Sequence, residues 1–205
     1  MTQQPLYICI EGIIGSGKTT LTQQLNEFFQ SKNFYSHTIY EQFQNNRILE
    51  LFYQHPGKYN LLAEYSFLID RFHQLSHCFQ SSNYDVILSD FSFRKCLWFA
   101  ETNLKPDEFQ EYQKHFLLLE NHLPKHPDLI IFLDVKPPQA YQNILARNRK
   151  MEANIHIDYL EKLYATYQKN IAHSPTPVEI IPIEKYDTLI DDTLNILKKS
   201  GFTKI

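Results

Sequence analysis

The sequence is poor in cysteine, in glycine and in net charge. Its three cysteines, Cys9, Cys78 and Cys96, are odd in number and far apart, which argues against a disulfide framework and a four-cysteine zinc site. The nine histidines show no metal-ligand spacing. A formal charge of −3 over 205 residues gives no electrostatic reason to expect nucleic acid or an anionic membrane as a partner. The apolar runs are too brief to span a bilayer. Met1 to Pro5 is short and polar and leads at once into a strand-like run, unlike a signal peptide. The expectation is a soluble, cytoplasmic protein with reduced thiols.

What is present is an alternation. Leu6 to Ile10, Ser36 to Tyr40, Asp85 to Leu88, Leu129 to Leu133 and Val178 to Ile181 read as short buried strands. Between them lie stretches of helical length and period, such as Phe109, Tyr112, Phe116, Leu119 and Leu123, and Ile157, Leu160, Leu163, Tyr164, Tyr167 and Ile171. This pattern predicts an α/β three-layer fold, a parallel sheet of about five strands with helices on both faces. No repeat or long linker interrupts it, so one domain over residues 1–205 is expected. Ligands of such sheets sit beyond the carboxyl ends of the strands, where chemistry-bearing residues are to be sought.

The first strand runs into Gly12-Ile13-Ile14-Gly15-Ser16-Gly17-Lys18-Thr19, and a helix-like stretch from Thr20 to Phe29 follows. This is the G-x-x-x-x-G-K-[ST] phosphate loop in the strand–turn–helix setting its mechanism requires. Glycines let backbone N–H groups converge on phosphate oxygens, and the helix N-terminus adds its positive dipole end. Three of the five glycines, Gly12, Gly15 and Gly17, fall here, with Ser16 and Thr20 beside them. Lys18 suits the β- and γ-phosphates of a nucleoside triphosphate such as ATP, and the Thr19 hydroxyl suits Mg²⁺.

Glu41 follows the second strand and Asp90 the third, so both project toward the same crevice. One carboxylate can take the proton of an attacking hydroxyl while the other holds Mg²⁺. A carboxylate at a strand end also serves as a helix cap or a solvated charge. Arg147 and Arg149 after a predicted helix suit a phosphate, or else form a solvated basic helix end.

Ile10-Glu11-Gly12 leading into Ile14-Gly15-Ser16-Gly17-Lys18-Thr19-Thr20 resembles the opening of the deoxynucleoside kinases, and the resemblance continues along most of the chain. By it, Glu41 in Tyr40-Glu41-Gln42-Phe43 stands in the place of the general base for the sugar 5′-hydroxyl. Asp90 in Ser89-Asp90-Phe91-Ser92 stands in the place of the acid near the metal. Phe52-Tyr53-Gln54-His55-Pro56 resembles a segment whose tyrosine contacts the 3′-hydroxyl. Glu64 and Arg71 fall at the spacing of a base-reading glutamine and its arginine, and Phe99 falls at a base-stacking phenylalanine. Arg147-Asn148-Arg149-Lys150-Met151-Glu152 resembles a lid, about residues 147–155, with arginines on the phosphates and Glu152 at the 3′-hydroxyl. A homodimer built through helices, including that from Phe109 to Leu123, is also implied.

Three residues depart from the family pattern. Phe91 replaces an arginine that commonly follows the acid, and Arg94 or Lys95 is expected to take over its role. Glu64 replaces glutamine; a carboxylate only accepts, which suits guanine N1–H and its amino group, unless Arg71 or Lys95 pairs with it. Ile13 stands where many members are polar. Tyr53, Tyr59, Tyr65, Phe67 and Phe99 are candidates for a base slot or for plain core. The leading expectation is a kinase phosphorylating the 5′-hydroxyl of a deoxynucleoside, purine and guanine type first. The rivals are a nucleoside monophosphate kinase of the thymidylate type and a non-catalytic nucleotide-binding module.

Overall fold

The computed structural model describes residues 4–42, 46–55, 57–80, 83–183 and 186–200; Phe43 and Pro56 of the motifs above lie outside them. Five strands form one parallel sheet in the order β2-β3-β1-β4-β5: β1 (Leu6–Glu11), β2 (Ser36–Ile39), β3 (Val86–Ser89), β4 (Leu129–Asp134) and β5 (Val178–Pro182). Each matches an expected apolar run to within two residues at either end. Central β1 is buried on both faces, with Tyr7 and Cys9 on one and Ile8 and Ile10 on the other. That double burial is why these parallel strands read as continuous apolar runs rather than as alternation.

Ile8 and Ile10 pack with Leu21, Leu25 and Phe29 of α1 (Lys18–Ser31), Leu163 and Tyr167 of α7 (Ile157–Ile171), and Leu189 and Leu197 of α8 (Leu189–Lys199). Tyr7 and Cys9 pack with Leu68 and Leu75 of α3 (Asn60–Gln80) and Tyr112 and Phe116 of α5 (Pro106–Glu120). Helix α4 (Lys95–Asn103) serves both sides, giving Trp98 to the first cluster and Cys96 and Ala100 to the second. The remaining helices are α2 (Arg47–Gln54) and α6 (Pro137–Arg147). Helix α5 begins earlier than the period from Phe109 to Leu123 suggests. Pro106 occupies its first turn, and the Glu108 carboxylate accepts the Lys105 N–H at 3.1 Å.

Two local devices position the crevice at the carboxyl edge. Gly17, with φ of +91°, ends the phosphate loop and starts α1, whose first internal bond runs from Leu21 N to Gly17 O at 3.1 Å. The N–H groups of Lys18, Thr19 and Thr20 are left facing outward from the helix start. Asn148 closes α6 in the left-handed region, with φ of +51°, and turns the chain into a 3₁₀ turn at Lys150–Glu152. Asparagine tolerates that conformation better than most residues.

Gly15 and Gly57 have nearly the same positive φ, +85° and +84°, in different surroundings. A Cβ on Gly15 would lie 2.4 Å from the Ala140 carbonyl oxygen, whereas one on Gly57 meets no described atom within 4 Å. Gly57→Ala is therefore expected to cost about 1–2 kcal/mol of conformational strain. Gly15→Ala should cost clearly more, because backbone of α6 must shift as well. Urea unfolding of the two variants measures the difference.

Candidate active site

The first fixed point of the crevice is Asp90, immediately after β3 and only 4% exposed. Its Oδ2 accepts from Thr19 Oγ1 at 2.6 Å, and its Oδ1 accepts from the Glu41 N–H at 2.8 Å. One carboxylate thus ties the phosphate loop helix to the end of β2. Thr19 and Asp90, read separately from the sequence as metal ligands, are brought into direct contact. Their oxygens are hard donors of the kind Mg²⁺ prefers. No cluster of three or more His, Cys, Asp or Glu stands ready as a metal cage among the described residues. A cation here would rest on these two oxygens, water and a ligand's phosphates, the usual arrangement for Mg²⁺.

Glu41 is held from the other side by two cations. Lys95 Nζ donates to its Oε2 at 2.7 Å, and the Arg71 guanidinium donates to its Oε1. Burial works against the charge on Glu41, but Arg71 and Lys95 together outweigh it and hold the carboxyl well below the usual carboxylate range. Arg71 is itself 3% exposed, donates to Cys96 Sγ at 3.1 Å, and lies over the rings of Phe67 and Phe91, 4.8 and 5.8 Å from their centroids. Its Nε is a buried donor without a partner among the described residues.

The two candidates to take over from the missing arginine are placed differently. Phe91 is fully buried beneath Arg71, and Lys95 brings the cation to Glu41. Arg94, the other candidate, turns away to pair with Glu120 at 2.9 Å and lines a different cavity. Nor does Glu64 pair with Arg71 or Lys95, since both are bound to Glu41.

The phosphate loop supplies the floor. Lys18 Nζ donates to the carbonyls of Gly12 and Ile13 at 2.8 and 2.9 Å, and burial, then Lys95, lowers its pKa to about 7. The Ser16 hydroxyl is buried without a partner among the described residues. That orphaned donor, the outward N–H groups of α1 and the basic Lys18 fit the oxygens of a phosphate chain. Thr20 is exposed in the first turn of α1, so its backbone rather than its side chain suits the role expected of it. Beneath the loop lies a buried carboxylate that the sequence reading left unassigned. Glu11 accepts from Gly12 N, Ser92 N and Tyr167 OH at 3.2, 2.6 and 3.2 Å.

Opposite the loop, Tyr53, Glu64, Phe67, Phe99 and Glu152 line the same cavity as Lys18 and Glu41. Tyr59 and Tyr65 do not: Tyr59 packs against His55, and Tyr65 packs against Tyr112 and His115. Arg147 grips Glu152 with two bonds, Nε to Oε2 at 2.8 Å and Nη2 to Oε1 at 2.6 Å, and Arg149 Nη1 lies 3.6 Å from the same carboxylate. The Asn148 turn makes that convergence possible. Two residues on this wall had not been singled out. Asn103 Nδ2 donates to Glu64 Oε1 at 2.7 Å and to Tyr159 OH at 3.3 Å. The usable signal for Asn103 was spacing, because Lys95, Phe99 and Asn103 recur every four residues and form one stripe of α4.

A family model described as deoxynucleoside kinase matches residues 8–199. A deoxyguanosine kinase of Bacillus subtilis (strain 168) is 32% identical over 205 residues, covering 97% of this chain and 93% of its own. A deoxyadenosine kinase of Dictyostelium discoideum is 32% identical over 182 residues, covering 86% of this chain and 71% of its own. Among solved structures, deoxyadenosine kinase from M. mycoides with bound dATP superposes with a TM-score of 0.83 at 20% identity, over 94% of this chain and 99% of that one.

Glu64 is 3% exposed and has no cation bonded to it among the described residues. Burial, opposed in part by the Asn103 hydrogen bond, raises its pKa from 4.5 to about 7. A folded-state value raised above the unfolded one means that folding takes up a proton. Its contribution is fully present below about pH 4.5 and is lost as pH rises through about 7. Glu64→Gln carries no such charge. Relative to the parent it should gain roughly 2 kcal/mol, a few degrees in Tm, between about pH 5.5 and pH 8.5. Thermal melts at the two pH values measure it.

Proposed function

The chain belongs to the deoxynucleoside kinase family, and from that premise we propose that it transfers the γ-phosphoryl group of ATP to the 5′-hydroxyl of a purine deoxynucleoside, guanine type first. The observation that carries the reading is one continuous cavity. Lys18 and Thr19 of the phosphate loop, Glu41, and Glu64 with Phe99 all line it. A triphosphate lies over Gly12, Gly15, Ser16 and Gly17 and the first turn of α1, and a nucleoside is held between Tyr53, Phe99 and Glu64. The similarity to a deoxyguanosine kinase and a deoxyadenosine kinase supports a purine acceptor.

In this mechanism Glu41 is the general base. Held ionised by Arg71 and Lys95, it is a weak base in the ground state. It orients the 5′-hydroxyl and takes the proton as the oxygen bonds to the γ-phosphorus and the bond to the leaving β-phosphate oxygen breaks. Lys18, Arg147 and Arg149 neutralise the charge that spreads over the phosphoryl oxygens. The arginines reach it by leaving Glu152, which then turns to the 3′-hydroxyl beside Tyr53. Mg²⁺ bound by Thr19 and Asp90 would supply electrostatic stabilisation to the donor phosphates.

We read residues 1–205 as a single domain with a lid at about 147–155. We further read it as a cytoplasmic homodimer active in nucleotide salvage. Leu117 and Leu118 on α5, 46% and 58% exposed, are suited to a helix-mediated interface. Three free cysteines suit a reducing compartment, and no helix among the described residues is long and apolar enough to cross a membrane. A nucleoside monophosphate acceptor is disfavoured, because its phosphate needs a strong cation beside it and Phe91 stands where an arginine is common.

Steady-state kinetics with ATP and Mg²⁺ against deoxynucleosides and their monophosphates test the assignment, which fails if only monophosphates are phosphorylated. Glu41→Gln should lower kcat by about 10²–10⁴ with nucleotide binding retained. Lys95→Met should lower kcat/KM about a hundredfold or more, because it leaves Glu41 with one cation. Arg94→Met should leave kcat/KM within about threefold and lower stability instead, by stranding the Glu120 carboxylate.

A further inference from the structure

The wall around Glu64 has an arrangement that an ordinary glutamine at this position would not create. Among the described residues, the charged and titratable groups that act on the Glu64 carboxyl are engaged elsewhere or neutral. Arg71 on its own helix and Lys95 on α4 are bound to Glu41. Cys96 on α4 is buried, and burial raises its pKa, so it stays a thiol. Tyr159 on α7 is likewise kept protonated by burial. Tyr112 on α5 bonds the Glu64 main-chain oxygen, not its carboxyl, at 3.4 Å. Glu41, the nearest other carboxylate, is anionic and opposes a second negative charge. Against these stands one amide donor, Asn103 Nδ2, on Oε1. A buried carboxyl with one neutral donor and no bonded cation has little to hold a negative charge.

The two protonation states offer different edges to a base. With Asn103 on Oε1, the proton of the neutral acid belongs on Oε2. Oε2–H then donates, while the second lone pair of Oε1 still accepts. That donor–acceptor pair is the one a glutamine amide presents. It complements the N1 acceptor and the 6-amino donor of adenine. Once the proton leaves, both oxygens accept, which complements the adjacent N1–H and 2-amino donors of guanine. Each state leaves an unmet polar group against the wrong purine, the situation in which a site discriminates most strongly.

We propose that Glu64 selects the base through its own proton, so that one site phosphorylates adenine-type deoxynucleosides as the neutral acid and guanine-type deoxynucleosides as the carboxylate. The inference rests on the deoxynucleoside kinase reading above and adds to it a specificity that changes with pH. The raised pKa of Glu64, about 7, puts the change within reach of ordinary assay conditions.

The test is internal competition. Deoxyadenosine and deoxyguanosine at equal concentration are given to the full chain with ATP and Mg²⁺, and the two monophosphates are separated and counted. Their ratio reports the ratio of kcat/KM directly and cancels any pH effect on steps the two substrates share. Assays between about pH 5.5 and pH 8.5 bracket the Glu64 change, and Glu64→Gln run alongside carries any titration of the bases themselves. Across that range the adenine-to-guanine product ratio should fall by about tenfold or more in the parent. In Glu64→Gln it should stay on the adenine side and vary by less than about twofold. A parent ratio that does not move with pH overturns the inference alone, as does a Glu64→Gln ratio that falls as steeply as the parent's. Failure to phosphorylate either nucleoside at any pH overturns the purine-acceptor reading and the inference with it.

Discussion

Everything in the crevice is referred to the Asp90 carboxylate. One oxygen fixes the Thr19 hydroxyl on the helix that follows the phosphate loop, and the other fixes the main chain at Glu41. Because β3 lies between β1 and β2 in the sheet, an acid at its end reaches the helix after the phosphate loop on one side and the chain after β2 on the other. A charge-assisted bond on each side makes the separation between loop and acid a property of the fold rather than of a flexible side chain. Glu11 repeats the device one layer deeper, joining the loop, the turn after Asp90 and α7 through a second fully buried carboxylate.

Around that clamp, charge is distributed unevenly between two carboxyls of one cavity. Glu41 receives both nearby cations and stays ionised, whereas Glu64 receives an amide and is pushed toward its neutral form. Environments that drive two acids apart in this way are how a single site assigns them different tasks. Here the tasks proposed are proton transfer for one and recognition for the other. Phe91 belongs to the same arrangement. It gives Arg71 an aromatic face to lie on, while Lys95, one turn along, supplies the positive charge.

Most of the architecture was legible because buried parallel strands must be apolar and the phosphate loop must contain its glycines and lysine. The five strands and the strand–loop–helix opening follow from those requirements alone. Glu41 and Asp90 were legible from their places after two neighbouring strands, Tyr53, Glu64, Phe99 and Glu152 only by resemblance, and all six line the same cavity. The choice between Arg94 and Lys95 was not legible, since both sit at the start of one helix and only the helix's direction relative to α5 separates them. Asn103 escaped because a polar residue at a helix end reads as a cap or a surface group. Its spacing from Lys95 and Phe99 carried the information. The start of α5 was misjudged because hydrophobic period marks which face is buried but not where the helix begins, which Pro106 decides.

The most direct measurement is a crystal structure of the chain with deoxyguanosine and a non-hydrolysable ATP analogue. The expected result puts the 5′-hydroxyl about 3 Å from a Glu41 carboxylate oxygen and in line with the γ-phosphorus above Lys18. A nucleoside whose 5′-hydroxyl lies beyond the reach of Glu41, with that acid still closed between Arg71 and Lys95 and no route to the phosphate, would contradict it.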